Sequence, residues 1–214
     1  MVVPPAVVLT DRLNVVTALN LMSPVLNLLL LRRIPGKVDR QAATWLIPTA
    51  VLGMPLGLLI LHELPTGPFR ILAGGLSIVF GAMLHARRFD LPQTRLAFGL
   101  TGFISGTLQT STTMSGPPMV MALLSGSRPA TTIRRTLAVL FLGMTGPTVL
   151  LLTVTRTYTG AGVLQAVAAV PLVLAAGYLG DRVSRRVPRE RFRTISLALI
   201  YATGVFGVVS GIRT

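Results

Sequence analysis

Residues Leu96 to Ser127 read LAFGLTGFISGTLQTSTTMSGPPMVMALLSGS, 32 consecutive residues without a charge. A helix crosses a bilayer in about 20 apolar residues, so two full crossings would need about 40. Two crossings do not fit, while one crossing and a re-entrant hairpin both fit on length alone. The flanking basic residues decide between them. If the stretch enters and leaves on one side, that side collects Arg32, Arg33, Lys37, Arg40, Arg87, Arg88, Arg95, Arg128, Arg134, Arg135, Arg182, Arg185, Arg186, Arg189, Arg191 and Arg193. That is 16 of the 20 Lys and Arg residues, with Arg12, Arg70, Arg156 and Arg213 opposite. If it crosses once, the split becomes 9 against 11. Basic residues concentrate in cytoplasmic loops, so the charges select the re-entrant hairpin. They also predict that the loops at Arg33–Arg40, Arg87–Arg95, Arg128–Arg135 and Arg182–Arg193 face the cytoplasm, with the C-terminus outside.

The rest of the chain places this hairpin in a membrane. Mean hydropathy is +0.72, with 51% hydrophobic and 12% charged residues, against roughly 25% charged in a soluble domain. Uncharged stretches of spanning length run from Leu13 to Leu31, Gln41 to Leu61, Thr136 to Thr155, Thr157 to Gly180 and Thr194 to Ile212. A sixth, Gly67 to Ala86, holds only Arg70 and His85 near its ends, where they can snorkel to the headgroups. The net charge of +14 lies almost wholly in loops between these spans, so it reads as topology and not as a nucleic-acid interface. With no cysteine, disulfides and thiolate sites are excluded. The start, MVVPPAVVLTDR, lacks a basic region and cleavage site, and no signal peptide is expected there.

The chain also repeats itself at an offset of 123 residues. Pro24 meets Pro147, Arg33 meets Arg156, Pro48 meets Pro171, Gly57 meets Gly180, Pro65 meets Pro188, Phe69-Arg70 meets Phe192-Arg193 and Gly81 meets Gly204. One hairpin plus three spans makes an odd number of crossings, so the second copy enters the membrane upside down. The reading is an all-α membrane protein of two inverted-topology repeats, residues 1–92 and 93–214, with six spans and one complete re-entrant hairpin. Substrate sites of such carriers lie where the repeats meet.

Chemistry concentrates inside the hairpin. Pro117 and Pro118 remove backbone donors and are expected to stop the descending helix near mid-bilayer, while proline suits the first turn of a new one. A helix starting at Gly116 directs N–H groups and the positive end of its dipole at the break, which favours an anion without a buried cation. Ser105, Thr107, Gln109, Thr110, Ser111, Thr112, Thr113 and Ser115 add hydroxyls and an amide; the plainer alternative for each is close helix packing. Substrate-binding candidates are Ser105, Gln109, Thr112, Ser115, Gly116 and Pro117. Asn20 and Asn27, two turns apart on one face of the first span beside Pro24, are further candidates, with interhelical packing as the alternative.

These motifs resemble a known family. The hairpin's G-x-x-S-G and S-G-P-P-M-V-M-A-L-L, with Thr145-Gly146-Pro147 in the next span, are similar to the second repeat of the TauE/SafE (sulfite exporter, TSUP) family. NLMSPVLN from Asn20 to Asn27 and LIPTAVLGMPLG from Leu46 to Gly57 resemble its first half. The resemblance implies a carrier or exporter of small sulfur-containing anions such as sulfite and organosulfonates. Members usually begin with a hairpin equivalent to residues 96–127, of which only the return arm is expected here. Val3-Pro4-Pro5 stands for Gly116-Pro117-Pro118, and the first copy is ten residues shorter between this pair and the next matched proline. A misassigned start or a shortened paralogue would both explain the short first hairpin. The upstream frame is expected to encode a further arm resembling Phe98–Ser115.

Other chemistry lacks residues to carry it. Asp11, Asp39, Glu63, Asp90, Asp181 and Glu190 all lie at span ends, so neither a mid-membrane proton relay nor carboxylate catalysis has a candidate. His62 and His85 also lie at ends and read as interfacial anchors, as do Trp45 and Tyr158, while Tyr201 reads as packing. No G-x-x-x-x-G-K-[ST] phosphate loop is present, so ATP-driven pumping is unsupported. No metal, cofactor or nucleic acid is implied. The expected partners are the lipid bilayer and a small anionic substrate with an undetermined coupling ion, and a homo-oligomer is compatible with the chain. A non-transporting membrane subunit or a degenerate truncated paralogue is the alternative from another class.

Overall fold

A computed structural model describes residues 12–33, 36–86, 91–158, 160–184 and 189–213. The Val3-Pro4-Pro5 motif, Arg87, Arg88 and the loop at 185–188 lie outside the described residues. The described residues form eight helices: α1 (Arg12–Arg33), α2 (Arg40–Glu63), α3 (Thr66–Ala86), α4 (Arg95–Thr112), α5 (Gly116–Leu124), α6 (Ala130–Val154), α7 (Gly160–Ser184) and α8 (Arg189–Ile212). Three apolar segments, Arg40–Glu63, Thr66–Met83 and Ala130–Val154, are long enough to cross a bilayer. Val16–Leu29, Gly160–Leu172 and Leu197–Ile212 are shorter apolar helical stretches. Leu52, Leu96, Leu150, Val154, Leu164 and Leu172 are each at least 65% exposed. In water such a surface would aggregate, whereas toward lipid it is the expected exterior.

Small residues set the tightest contact. A Cβ on Gly106 would lie 1.8 Å from the Ala50 carbonyl oxygen, and one on Gly57 2.0 Å from that of Thr107. Gly53 and Gly102 meet Phe103 and Thr49 almost as closely, so α2 and α4 touch backbone to backbone. Thr107 Oγ1 donates to the Gly53 carbonyl at 3.0 Å and Thr110 Oγ1 to that of Met54 at 2.7 Å. The matched rows, 46 with 102, 50 with 106 and 54 with 110, mean that α2 and α4 run in the same direction. Against this pair pack Phe98, Met119, Leu123, Leu140 and Met144, which build the main core from α4, α5 and α6. Elsewhere α1 packs on both α6 and α7, α2 on α6, and α3 on α8. In the last pair Gly74 approaches Gly204 and Gly207, and Gly67 approaches Gly211.

The two ends of the α4–α5 segment meet. Gln93 Nε2 donates to the Ala122 carbonyl at 3.2 Å, and Leu91 N–H donates to Ser125 Oγ at 3.0 Å. Arg128 donates to both Gln93 Oε1 and Asp39 Oδ2 and lies over the Phe98 ring, 5.6 Å from its centroid. Asp39 in turn caps α2 by accepting from Ala42 N–H at 3.0 Å, and its own N–H donates to Thr136 Oγ1 of α6 at 2.9 Å. Burial pushes the Asp39 carboxyl up, but the Ala42 N–H and the Arg128 guanidinium, by hydrogen bond and by charge, more than offset this and hold it below its ordinary value.

This clasp yields a stability prediction. Asp39→Ala removes cap and ion pair together and should cost about 1–2 kcal/mol in thermal unfolding in detergent. Asp39→Asn keeps a competent cap and should lose less. Because the folded-state pKa is depressed, the carboxylate's contribution is present above the unfolded value and lost as pH falls through the folded one. Between neutral pH and the ordinary aspartate range, the gap between wild type and Asp39→Asn should stay constant. It should close only in stronger acid.

Candidate functional site

The break between α4 and α5 is built differently from the expectation that prolines stop the descending helix. α4 ends at Thr112, before Pro117 is reached, and Thr113 takes the left-handed conformation with φ 59° and ψ 18°. Thr113 and Met114 both direct N–H groups at the Leu108 carbonyl, which closes the helix by local hydrogen bonding. A β-branched residue at positive φ is an uncommon, strained arrangement of the kind found at functional sites. The prolines serve only the start of α5, where Ser115 is the N-cap.

Those prolines also change what the α5 N-terminus can bind. A cap side chain ordinarily accepts from the N–H of the second or third helical residue. Here these are Pro117 and Pro118, which have none. Ser115 accordingly makes no side-chain cap bond. Two of the backbone donors that a helix N-terminus ordinarily offers are missing, leaving the amides of Ser115 and Gly116.

The Ser115 hydroxyl instead donates to Gln109 Oε1. Gln109 Nε2 donates to Asn20 Oδ1 at 3.0 Å, and Asn20 Nδ2 donates to the Val16 carbonyl at 2.9 Å. Asn20, Gln109 and Ser115 are 1%, 8% and 2% exposed, so this is a buried polar chain linking the break to the middle of α1. Its direction is fixed from one end. The Val16 carbonyl can only accept, so Asn20 must turn its NH2 there and its oxygen to Gln109, which then offers its own oxygen to Ser115. One turn before Gln109 on the same face of α4, the Ser105 hydroxyl is fully buried with no hydrogen-bond partner. A buried unpaired hydroxyl is unfavourable unless something else completes it.

The remaining candidates divide clearly. Pro117 is buried beside Ser115 and Gly116 is half-buried. Thr112 is buried but donates to the Leu108 carbonyl of its own helix at 3.1 Å, and Ser111 does the same toward Thr107. Thr107 and Thr110 serve the α2 contact. Asn27 is half-buried and takes no part in the chain formed by Asn20. Sequence reasoning missed Ser77, in the middle of α3, whose hydroxyl lies 3.9 Å from Met114 Sδ at the break. It also read Asp39 and Arg128 only as loop charges, and nothing in their 89-residue separation signals the pairing.

The far end of the molecule carries a smaller cluster. His62 Nε2 lies 3.0 Å from Thr157 Oγ1, which also meets Thr155. The Tyr158 hydroxyl is buried without a hydrogen-bond partner, which does not match the wet tip of a belt tyrosine. Trp45 is 39% exposed and carries Arg95 5.7 Å above its ring. Among the described residues, no cluster of His, Asp and Glu could hold a metal ion.

The sequence matches the family described as Sulfite exporter TauE/SafE over residues 1–207. No curated protein and no solved structure matches the chain.

Proposed function

The chain belongs to the TauE/SafE sulfite exporter family, a multi-pass membrane transporter family without enzymes, and from that premise we propose a secondary carrier of a small sulfur-containing anion. The substrate class is sulfite or an organosulfonate, moved by alternating access at the interface of two inverted repeats, residues 1–92 and 93–214. The observation that carries this reading is the buried Asn20–Gln109–Ser115 chain at a helix break, with the unpaired Ser105 hydroxyl one turn before Gln109 on α4. Neutral donors and a helix N-terminus suit an anion that must be released again, since they hold it less tightly than a buried cation would. Asn20, Gln109, Ser115, Gly116 and Ser105 form the site in this proposal; Pro117 shapes it, and Thr112 and Asn27 flank it.

The inverted repeat draws support from which helices touch. An offset of 123 equates α1 with α6, α2 with α7 and α3 with α8. Under that exchange the α1–α7 contact becomes α6–α2, and the α1–α6 and α3–α8 contacts map onto themselves; all four occur. The re-entrant hairpin draws support from α5, whose nine residues span only about 14 Å at 1.5 Å each, and from its return to Gln93. The break lies beside Asn20 and Ser77, in the middle turns of α1 and α3, which fits a site near mid-bilayer.

Two experiments test the proposal. Cells expressing the chain should extrude sulfite faster than cells expressing an inactive variant, and equal rates would remove the transport function. Single cysteines at Gln93 and Ser127, in a chain that has none of its own, should label from the same, cytoplasmic side. Labelling from opposite sides would remove the hairpin.

A further inference from the structure

The proton positions in the buried chain specify more than an anion. Ser115 has one hydroxyl proton and two lone pairs. The proton is committed to Gln109 Oε1, and that commitment is enforced through Asn20 by the Val16 carbonyl. The lone pairs cannot be taken by the first turn of α5, because Pro117 and Pro118 have no N–H to offer. Ser115 Oγ is therefore a buried acceptor that its own helix leaves open. On the opposite account stand the amides of Ser115 and Gly116, the Ser105 hydroxyl and the second N–H of Gln109, all donors. Along the end of α4 and the start of α5, these donors accompany one open acceptor, Ser115 Oγ.

We infer that this site takes an anion carrying a hydrogen-bond donor of its own, such as hydrogensulfite or a hydroxy- or amino-alkanesulfonate, in preference to an anion with none. The inference rests on the reading of the break as the anion site. The charged oxygens of the ligand face the N–H and O–H groups, and its O–H or N–H donates to Ser115 Oγ. A donor-free anion strips water from that oxygen and returns nothing, and an unmet buried polar group carries a substantial penalty. A fully deprotonated dianion is disfavoured twice, since it lacks the donor and meets only the partial charge of one short helix.

The test is competition against sulfite flux in vesicles containing the purified chain, with 2-hydroxyethanesulfonate and ethanesulfonate as the probes. The two are close in size and carry the same charge at every working pH. The hydroxyl form should inhibit about tenfold more strongly, as expected for one buried hydrogen bond gained or lost. In Ser115→Ala, which has no acceptor, the ratio of the two inhibition constants should fall toward one. The ratio is read within each protein, so differences in expression cancel. Equal inhibition of a measurable wild-type flux would overturn the inference and leave the anion site standing, as would failure of both probes to inhibit. Absence of any protein-dependent sulfite flux would overturn the carrier reading and this inference with it.

Discussion

Gly106→Val should leave no well-packed protein to assay. The first carbon of any side chain at this position would lie 1.8 Å from the Ala50 carbonyl oxygen and 2.5 Å from its carbonyl carbon. Both atoms are backbone, so neither can rotate away, and α2 would have to move by more than an ångström along its whole contact with α4. That movement would also break the Thr107–Gly53 and Thr110–Met54 hydrogen bonds. Overpacking in a dense core costs about 1–3 kcal/mol even where side chains can adjust, and a rigid backbone contact belongs at or above the top of that range. Against a total stability of about 5–15 kcal/mol, the expected outcome is aggregation in size-exclusion chromatography and loss of the unfolding transition. Gly75→Ala and Gly146→Ala are the controls, because an added carbon there meets nothing within 4 Å. They should be neutral or stabilising by up to about 1 kcal/mol, as alanine improves on glycine inside a helix. Normal behaviour of Gly106→Val would mean that α2 and α4 do not pack as described.

Loss of transport without loss of protein is the second large effect. Gly116→Leu and Ser115→Leu place a bulky apolar side chain at the first residues of α5, where the proposed anion meets the two remaining backbone donors. Neither residue lies in the α2–α4 contact, so insertion and expression should stay near the wild-type level. Sulfite flux should fall to the background of protein-free vesicles. Gln109→Leu should also fall steeply, because it removes both a donor and the group that orients Ser115, and it leaves Asn20 Oδ1 without its partner. Equal flux by wild type and these variants at matched protein amounts would make the break a structural feature only.

Much of this arrangement is legible in the sequence because it depends on properties that act locally or add up along the chain. The apolar stretches mark the helices, since each is long and uncharged enough to read as a span. The arginine distribution is the argument for the proposed hairpin, since each loop charge is an independent vote on sidedness. Ser115-Gly116-Pro117-Pro118 marks the start of α5, since proline is favoured in a first helical turn. The end of α4 was not legible. Neither Thr112 nor Thr113 is a breaker residue, and the stop depends on a left-handed threonine whose N–H, with that of Met114, closes on the Leu108 carbonyl. Of the many hydroxyls in the hairpin, sequence could not separate those that bond their own helix or α2 from those at the break, because that depends on the rotation of α4 about its axis. Asn20 and Gln109 were each legible as polar residues in apolar spans. Their contact, across 89 residues, was not.

The most direct test of the central claim is sulfite flux by the purified chain in sealed vesicles, with an imposed sulfite gradient and no other protein present. The account predicts flux that depends on protein, saturates with sulfite and disappears in Gly116→Leu. Flux equal to that of protein-free vesicles, from a preparation that is monodisperse and folded, would contradict it.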